Sequence, residues 1–594
     1  MSDQNKAVIS AINGPVIRGA HLQGFAVHEM VRVGEDGRLG EIISLDGTDA
    51  VIQVYEQTEG LKVGDPIGST GMPLSVRLGP GLLTNMFDGI ERPLERIEDD
   101  YGSFMPTGVQ MEALSTERTW EMHFTIKEGD AVTAGQIIAT TQETSLIEHR
   151  VMVPPQISGD VVSCGRDGSY RLEDVLATVR DANGVLHELK MVQEWPVRRP
   201  RPTKVRQATN ELLVTGQRVL DVFFPIAKGG TVAIPGGFGT GKTMLQHQIA
   251  KFCDAEVIVY IGCGERGNEM TDVLDSFPTL IDPHTGENLM NRTILIANTS
   301  NMPVAAREAS IYTGITMAEY YRDMGYHVAL MADSTSRWAE ALREISGRLE
   351  EMPAEEGYPA YLSSRIAQFY ERAGRVETLS GAKGSVTLIG AVSPAGGDFS
   401  EPVTEATKRY VKTFLGLDKE LAYSRHYPSI NWMNSYSGYT TLLANDYMDK
   451  LDVDVMALRN KMLNLLMEES RLNDIVSLVG ADVLPDDQRL ILDIARVIRV
   501  GYLQQNSFDP IDTYVPLEKQ VKMLQIIDHL YERCNELVEA HVPLRIVHDD
   551  AIFDEVIMMK YHIPNDDPEA LEALLEAIDA RYDAIKMENQ SEAS

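Results

Sequence analysis

The sequence predicts a multidomain chain: an N-terminal β-barrel, a β-rich inserted domain, a central α/β domain and a C-terminal α-helical domain. Three observations predict it. The chain has 594 residues, 43% of them hydrophobic, which is more than one core usually holds and implies three or four domains. Its periodicity changes along its length, from short β patterns to alternating strand and helix to helix alone. In the middle lies Gly236-Gly237-Phe238-Gly239-Thr240-Gly241-Lys242-Thr243, with the G-x-x-x-x-G-K-T spacing of a phosphate-binding loop. The boundaries read as a barrel over 1–75, a linker over 76–116, the insert over 117–195, the phosphate-loop domain over 196–438, the helical domain over 439–585, and a polar, disordered tail over 586–594.

Over residues 7–75, Val27 to Val33, Gly40 to Leu45 and Ala50 to Tyr55 read as strands, with turns at Glu35-Asp36-Gly37 and Asp46-Gly47-Thr48. Several short strands closing on themselves give a small barrel. The linker carries Gly79-Pro80-Gly81-Leu82-Leu83 and the run from Phe87 to Leu94. In the insert, Gly129-Asp130-Ala131-Val132 and Gly135-Gln136-Ile137-Ile138 resemble the hairpins of lipoyl- or biotin-carrier folds. A carrier needs a lysine at an exposed hairpin tip, and no convincing one is present. Arg198 to Pro202 forms a basic, proline-rich hinge.

From 211 to about 435 strands and helices alternate, which implies a mostly parallel sheet covered on both faces. Gly230 to Ile234 reads as a short buried strand before the loop. Leu245, Ile249, Phe252 and Cys253 fall at helical spacing after it, so a helix N-terminus faces the bound anion. Glycines let backbone N–H groups turn inward. Lys242 supplies a mobile charge for the β- and γ-phosphates, and the Thr243 hydroxyl is a hard ligand suited to Mg²⁺. Glu256 to Gly262, Thr293 to Ala297 and His327 to Ala332 read as further buried strands, and Pro303 as the first residue of a helix running to Gly325. Glu265 and Asp333 then lie just past strand ends, where such sheets bind ligands. Asp333 is placed to hold Mg²⁺, or else to cap the helix containing Trp338 and Leu342. Glu265 can polarise a water for attack on phosphorus and Arg266 can contact phosphate oxygens; from spacing alone, 265–269 is equally a charged helix start.

With 54 Lys+Arg against 88 Asp+Glu the net charge is −34, which repels nucleic acid and anionic lipid at long range. Cys164, Cys253, Cys263 and Cys534 show no paired spacing, as in a reduced cytoplasmic compartment. The N-terminus lacks a secretory pattern and no apolar run reaches membrane-spanning length. A soluble protein is expected, one that can still dock on a membrane complex.

These motifs resemble those of the catalytic A (alpha) subunits of bacterial and archaeal V/A-type rotary ATPases, relatives of the F-type beta subunits. The resemblance rests on the phosphate loop, on Gly264-Glu265-Arg266-Gly267-Asn268-Glu269 and on Ala332-Asp333-Ser334-Thr335-Ser336-Arg337-Trp338. It extends to Pro353-Ala354-Glu355-Glu356-Gly357-Tyr358-Pro359, to Tyr427-Pro428-Ser429-Ile430 and to the linker, covering about residues 5 to 580. It implies a RecA-like central domain binding ATP or ADP with Mg²⁺. In it Lys242, Glu265 and Arg266 are catalytic and Thr243 and Asp333 hold the metal. Residues 236–243 contact the nucleotide, and Tyr427 and Phe508 pack against the adenine. It implies a hetero-hexameric ring with a non-catalytic B-type subunit that supplies an arginine finger, central-stalk rotor subunits, a peripheral stalk, and a membrane sector moving H⁺ or Na⁺, with this chain on the cytoplasmic face. Eukaryotic vacuolar A subunits carry cysteine at the position of Thr240, so Thr240 points to the bacterial or archaeal branch.

Beyond about 440, Leu465, Glu469 and Leu472, and Leu492, Ala495, Val497 and Ile498, follow helical spacing. The acidic interruption from Asp482 to Asp487 reads as a solvated turn. By its place it resembles the loop with which F-type beta subunits push the shaft, which puts Asp482, Asp486 and Asp487 toward the rotor. Two other readings share the nucleotide fold: a ring-shaped nucleic-acid translocase, which the charge of −34 opposes, and a non-catalytic ring subunit, which intact Lys242, Thr243, Glu265 and Asp333 oppose.

Overall fold

Alternating apolar residues at Ile9, Ile17, Val31, Ile42, Ile52 and Val54 pack into one small core at the N-terminus. They lie on six antiparallel strands, Val8–Asn13, Val16–Ala20, Glu29–Val33, Arg38–Asp46, Asp49–Val54 and Ile67–Pro73. Hydrogen bonding from Ile67 N to Ala7 O at 2.9 Å and from Ile9 N to Asp65 O at 2.9 Å joins the first strand to the last and closes the barrel. The computed structural model describes residues 6–102, 106–109, 111–283, 285–480 and 483–592. By contact the chain divides into two units, each built from separated segments: Met1–Ala208, Lys228–Ala233 and Ala255–Val411 in one, Thr209–Ala227, Ile234–Asp254 and Lys412–Ser594 in the other.

The first unit contains the barrel, the insert and most of a parallel sheet. The insert is a sandwich of two four-stranded antiparallel sheets around Trp120, Met122, Ile138, Val151, Val161 and Val179, all buried. A polar anchor fixes it. His149, fully buried, donates from Nδ1 to Glu143 Oε2 at 2.9 Å and accepts at Nε2 from the Tyr320 hydroxyl at 3.0 Å. Glu143 Oε1 also accepts from Gly81 N at 2.8 Å and the Tyr321 hydroxyl at 2.9 Å. Insert, linker and the long helix Val304–Asp323 thus meet at one carboxylate.

The parallel strands run in the order Lys383–Val392, His327–Asp333, Val257–Glu265, Thr293–Thr299, with Met86–Phe87 of the linker at the edge. Their near-continuous apolar runs reflect burial on both faces. Three boundaries differ from the sequence reading. The strands extend through Glu265 and Asp333, which are terminal strand residues rather than loop residues beyond them. Pro303 is the N-cap and Val304 the first helical residue; proline has no N–H to lose at either position. Gly230 O accepts from Leu388 N at 2.9 Å, and the strand Thr231–Pro235 carries the chain out of this unit.

The second unit begins where that strand ends, with the phosphate loop and the helix Lys242–Phe252. Leu417 N donates to Pro235 O at 2.8 Å. A short antiparallel pair, Thr413–Phe414 with Tyr436–Ser437, precedes the helices Thr440–Leu451, Val455–Val479, Asp486–Val497, Leu517–Glu539, Asp550–His562 and Pro568–Glu592. The last runs through Glu592, where the sequence reading put a disordered tail from 586: Ile578, Tyr582 and Ile585 bury one face, and Lys586 pairs with Glu536 at 2.7 Å. Asp482 lies outside the described residues. Asp486 accepts from Leu544 N at 2.8 Å, and Asp487 is exposed at the helix start.

Candidate functional site

In the second unit the octet folds as a loop that follows the strand Thr231–Pro235 and runs into the helix Lys242–Phe252. Gly239 and Gly241 have φ of +79° and +85°, a left-handed conformation that favours glycine. Gly236 is required for a different reason: an added Cβ would lie 2.6 Å from Thr240 Oγ1 and 2.8 Å from Leu417 Cβ. Thr240, almost fully buried, donates from its hydroxyl to Gly237 O at 2.8 Å, and its own carbonyl accepts from Ser429 at 2.7 Å. Lys242 Nζ donates to Gly236 O at 2.9 Å and Gly237 O at 3.2 Å, so the ammonium lies against the loop it serves. Thr243 stands in the first turn of the helix, and Phe238, 81% exposed, projects outward from the loop.

Beside the loop is a cavity of about 580 Å³ lined by Gly239, Gly241, Met244, Tyr427, Phe508 and Tyr561, among others. Tyr427 precedes a cis proline, and its carbonyl accepts from Gln505 N at 2.8 Å, tying the two aromatic segments together. Phe508 is 87% exposed and Tyr427 40%. For large aromatic side chains such exposure at a cavity mouth marks a binding surface rather than core packing. Exposed aromatic surface in a cavity beside a glycine-rich loop suits a flat apolar ring.

The first unit holds the acids. Parallel register sets Gly262 opposite Asp333 on neighbouring strands, so Glu265 and Asp333 share one end of the sheet. A register shift between Cys263 and Glu265 falls at Gly264, whose φ is +70° and whose added Cβ would meet Arg337 Cβ at 2.8 Å and Arg307 Cδ at 2.9 Å. Glycine there lets the strand end turn between two arginine stems and re-aims Glu265. Burial, the charge of Asp333 and the Glu269 carboxyl push Glu265 up to about 8, with Arg337 opposing. Asp333 is 2% exposed and accepts from the Tyr260 hydroxyl at 3.3 Å; burial and that carboxylate hold the Tyr260 phenol well above its ordinary value. The alternative role of Asp333 as a helix cap does not hold, since the helix Thr335–Arg348 is preceded by Ser334 as N-cap. Arg266 is exposed at the N-cap of Gly267–Ser276, so 265–269 is both a charged helix start and a strand tip. The sequence reading assigned nothing to Arg337 and Tyr260. Arg337 sits four residues beyond Asp333, in the first turn of the helix Thr335–Arg348, which was the available signal; Tyr260 lay hidden in an apolar run.

Four family models match the chain: the ATP synthase alpha/beta family nucleotide-binding domain over residues 216–437, its β-barrel domain over 9–71, the ATP synthase alpha/beta subunit barrel-sandwich domain over 111–198, and the C-terminal domain of V and A type ATP synthase over 444–545. The V-type ATP synthase alpha chain 2 of Clostridium tetani is 58% identical over 98% of both chains. The corresponding A-type ATP synthase chain of Methanopyrus kandleri is 54% identical over 98% of this chain and 99% of its own. The chain belongs to the alpha (A) subunit family of the V- and A-type ATP synthases. Among solved structures, the assembled ATPase EscN of the enteropathogenic Escherichia coli type III secretion system shares the fold, with a TM-score of 0.63 at 20% identity, covering 88% of this chain and all of that one. The family's barrel and barrel-sandwich models fall on the closed barrel and the two-sheet sandwich described above. Among the described residues no helix is long and apolar enough to cross a membrane.

Proposed function

We propose that this chain is the catalytic subunit of a rotary V/A-type ATPase or ATP synthase, binding Mg-ATP and coupling its hydrolysis or synthesis to H⁺ or Na⁺ transport. The observation that carries the reading is the phosphate loop, folded between strand and helix with Gly241 left-handed at the helix N-cap and flanked by a cavity with two exposed aromatic rings.

In this reading the loop amides and Lys242 hold the phosphates, while Tyr427 and Phe508 enclose the adenine. The family resemblance assigns Mg²⁺ to the Thr243 hydroxyl and the Asp333 carboxylate, each a hard oxygen donor of the kind that ion takes. The ion would neutralise charge on the phosphate oxygens. Glu265 orients and deprotonates water, which requires its elevated carboxyl to ionise; the positive groups gathered around a bound triphosphate favour that. Arg266 contacts the transferring phosphate, and Arg337, ion-paired with Glu340 at 2.8 Å and within electrostatic reach of Glu265 and Glu269, supplies a further positive charge. We infer a ring in which the chain alternates with a B-type partner that contributes an arginine finger, a reading the family resemblance supports. A central stalk, a peripheral stalk and a membrane sector complete the complex, with this chain peripheral on the cytoplasmic face and Asp486 and Asp487 toward the rotor. The net charge of −34 weighs against nucleic acid as a partner.

The test is purification of the chain alone and with its B-type neighbour. Mg-ATP hydrolysis confined to the assembled form is the expected result. RNA-stimulated hydrolysis by the chain alone would overturn it.

A further inference from the structure

Phe508 is carried by the segment 504–508, which forms no strand or helix. An exposed ring on an irregular segment binds well only if something else fixes the segment, because ordering it on binding costs affinity. The fixing groups come from the side chains around it. Gln504 O accepts from Arg218 Nη2 at 2.8 Å and from Lys560 Nζ at 3.0 Å. Asn506 N donates to Asp512 Oδ2 at 2.7 Å. The Gln505 amide donates to Asp512 O at 2.8 Å and to Gly216 O at 2.9 Å. Arg218 and Asp512 are paired at 2.5 Å with both side chains fully buried.

Lys560 is the unexpected member. It lies on the helix Asp550–His562, is 1% exposed, and also donates to Val500 O at 2.6 Å, in the turn Ile498–Leu503 that leads into the segment. Holding an ammonium there is costly: burial and the nearby Arg218 bring it down to about 8, against the weaker pull of Asp512 and Asp509. A second buried amine, Lys519, serves other acceptors, Ile563 O at 2.6 Å and Asn565 Oδ1 at 3.0 Å. Core packing alone would be served as well by an apolar side chain of similar length. What an apolar chain cannot do is donate to two carbonyls at once. The next residue on the same helix, Tyr561, lines the cavity itself.

We propose that Lys560 is a positioning residue for nucleotide binding. By gripping Val500 O and Gln504 O it seats the segment that presents Phe508, so affinity for the base depends on how the helix Asp550–His562 is seated. This rests on the reading of Tyr427 and Phe508 as the base subsite. Lys560 itself touches no nucleotide.

The test uses the assembled ATPase complex carrying Lys560→Gln, Lys560→Arg or Phe508→Ala, with KM and kcat for Mg-ATP and competitive binding of Mg-tripolyphosphate, which has no base. The glutamine amide is too short to reach both carbonyls that the Lys560 ammonium bridges, which removes about one net hydrogen bond's worth of ordering, so KM for ATP rises about three- to tenfold in K560Q while kcat stays within about twofold. K560R, which keeps donors, recovers most of the affinity, and tripolyphosphate binding is unchanged in all three. Should K560Q fail to assemble, Lys560→Met keeps the stem, drops the donors and carries the same expectation. An unchanged KM in K560Q or K560M, or an equal loss for ATP and tripolyphosphate, overturns the proposal. F508A separates the two readings: if it leaves the KM for ATP unchanged, the base subsite itself is wrong, whereas weakened ATP binding in F508A with none in K560Q removes only the role of Lys560.

Discussion

Replacing Glu265 by glutamine makes the nucleotide-free chain more stable while stopping its chemistry. The carboxyl ionises near 8 in the folded chain against an ordinary value of 4.5, chiefly because of burial and then the neighbouring Asp333. Between those values the unfolded chain has released a proton that the folded chain keeps, so stability falls as pH rises through this window. At about 1.36 kcal/mol per pH unit, the span from 4.5 to 8 amounts to about 5 kcal/mol, complete only above pH 8 and about 3 kcal/mol at pH 7. Glutamine has the same shape and no charge to bury. The assay is thermal unfolding of parent and E265Q in nucleotide-free, metal-chelating buffer from pH 5 to 8. The two differ in stability by no more than about 1 kcal/mol at pH 5, and at pH 8 E265Q melts higher by about 3 °C or more. In the assembled enzyme the same variant binds Mg-ATP but hydrolyses it orders of magnitude more slowly, since an amide cannot take the proton of water. Melting curves that run parallel across the whole range would refute the buried, charge-crowded environment. Undiminished hydrolysis would remove the water-activating role.

Lys242→Met removes the ammonium that lies against Gly236 O and Gly237 O; kcat/KM for Mg-ATP falls by about a hundredfold or more, measured with melting temperature as the control for folding. Tyr427→Ala takes away one face of the base cavity, raising KM for ATP about tenfold with kcat little altered, which steady-state kinetics reads directly. His149→Ala leaves Glu143 and Tyr320 each short of a buried partner; denaturant unfolding reports a loss of about 2–4 kcal/mol, while the KM of the assembled enzyme stays the same.

The sequence by itself determined the phosphate loop, the apolar strands around it and the helical character of the C-terminal part. Those features are local: a glycine spacing, an unbroken apolar run and a 3.6-residue period each constrain the backbone within a few residues. It also placed Glu265 and Asp333 just past strand ends, because each lies where an apolar strand run gives out. What the sequence could not decide were properties created by neighbours distant along the chain. The turn at Gly264 that re-aims Glu265 between the Arg307 and Arg337 stems depends on which helices pack over that strand. The raised carboxyl of Glu265 needs the parallel register that sets Gly262 opposite Asp333. His149 and Glu143 read as ordinary polar residues until the fold buries them with Tyr320 and Tyr321, far along the chain. Phe508 carries no local signal of its own, was singled out by resemblance alone, and is nearly all exposed. Lys560, invisible to any motif, becomes legible only once its helix brings an amine to Val500 O and Gln504 O. Backbone geometry is written in short stretches of chain, whereas charge, burial and aim are set by whatever the fold packs alongside.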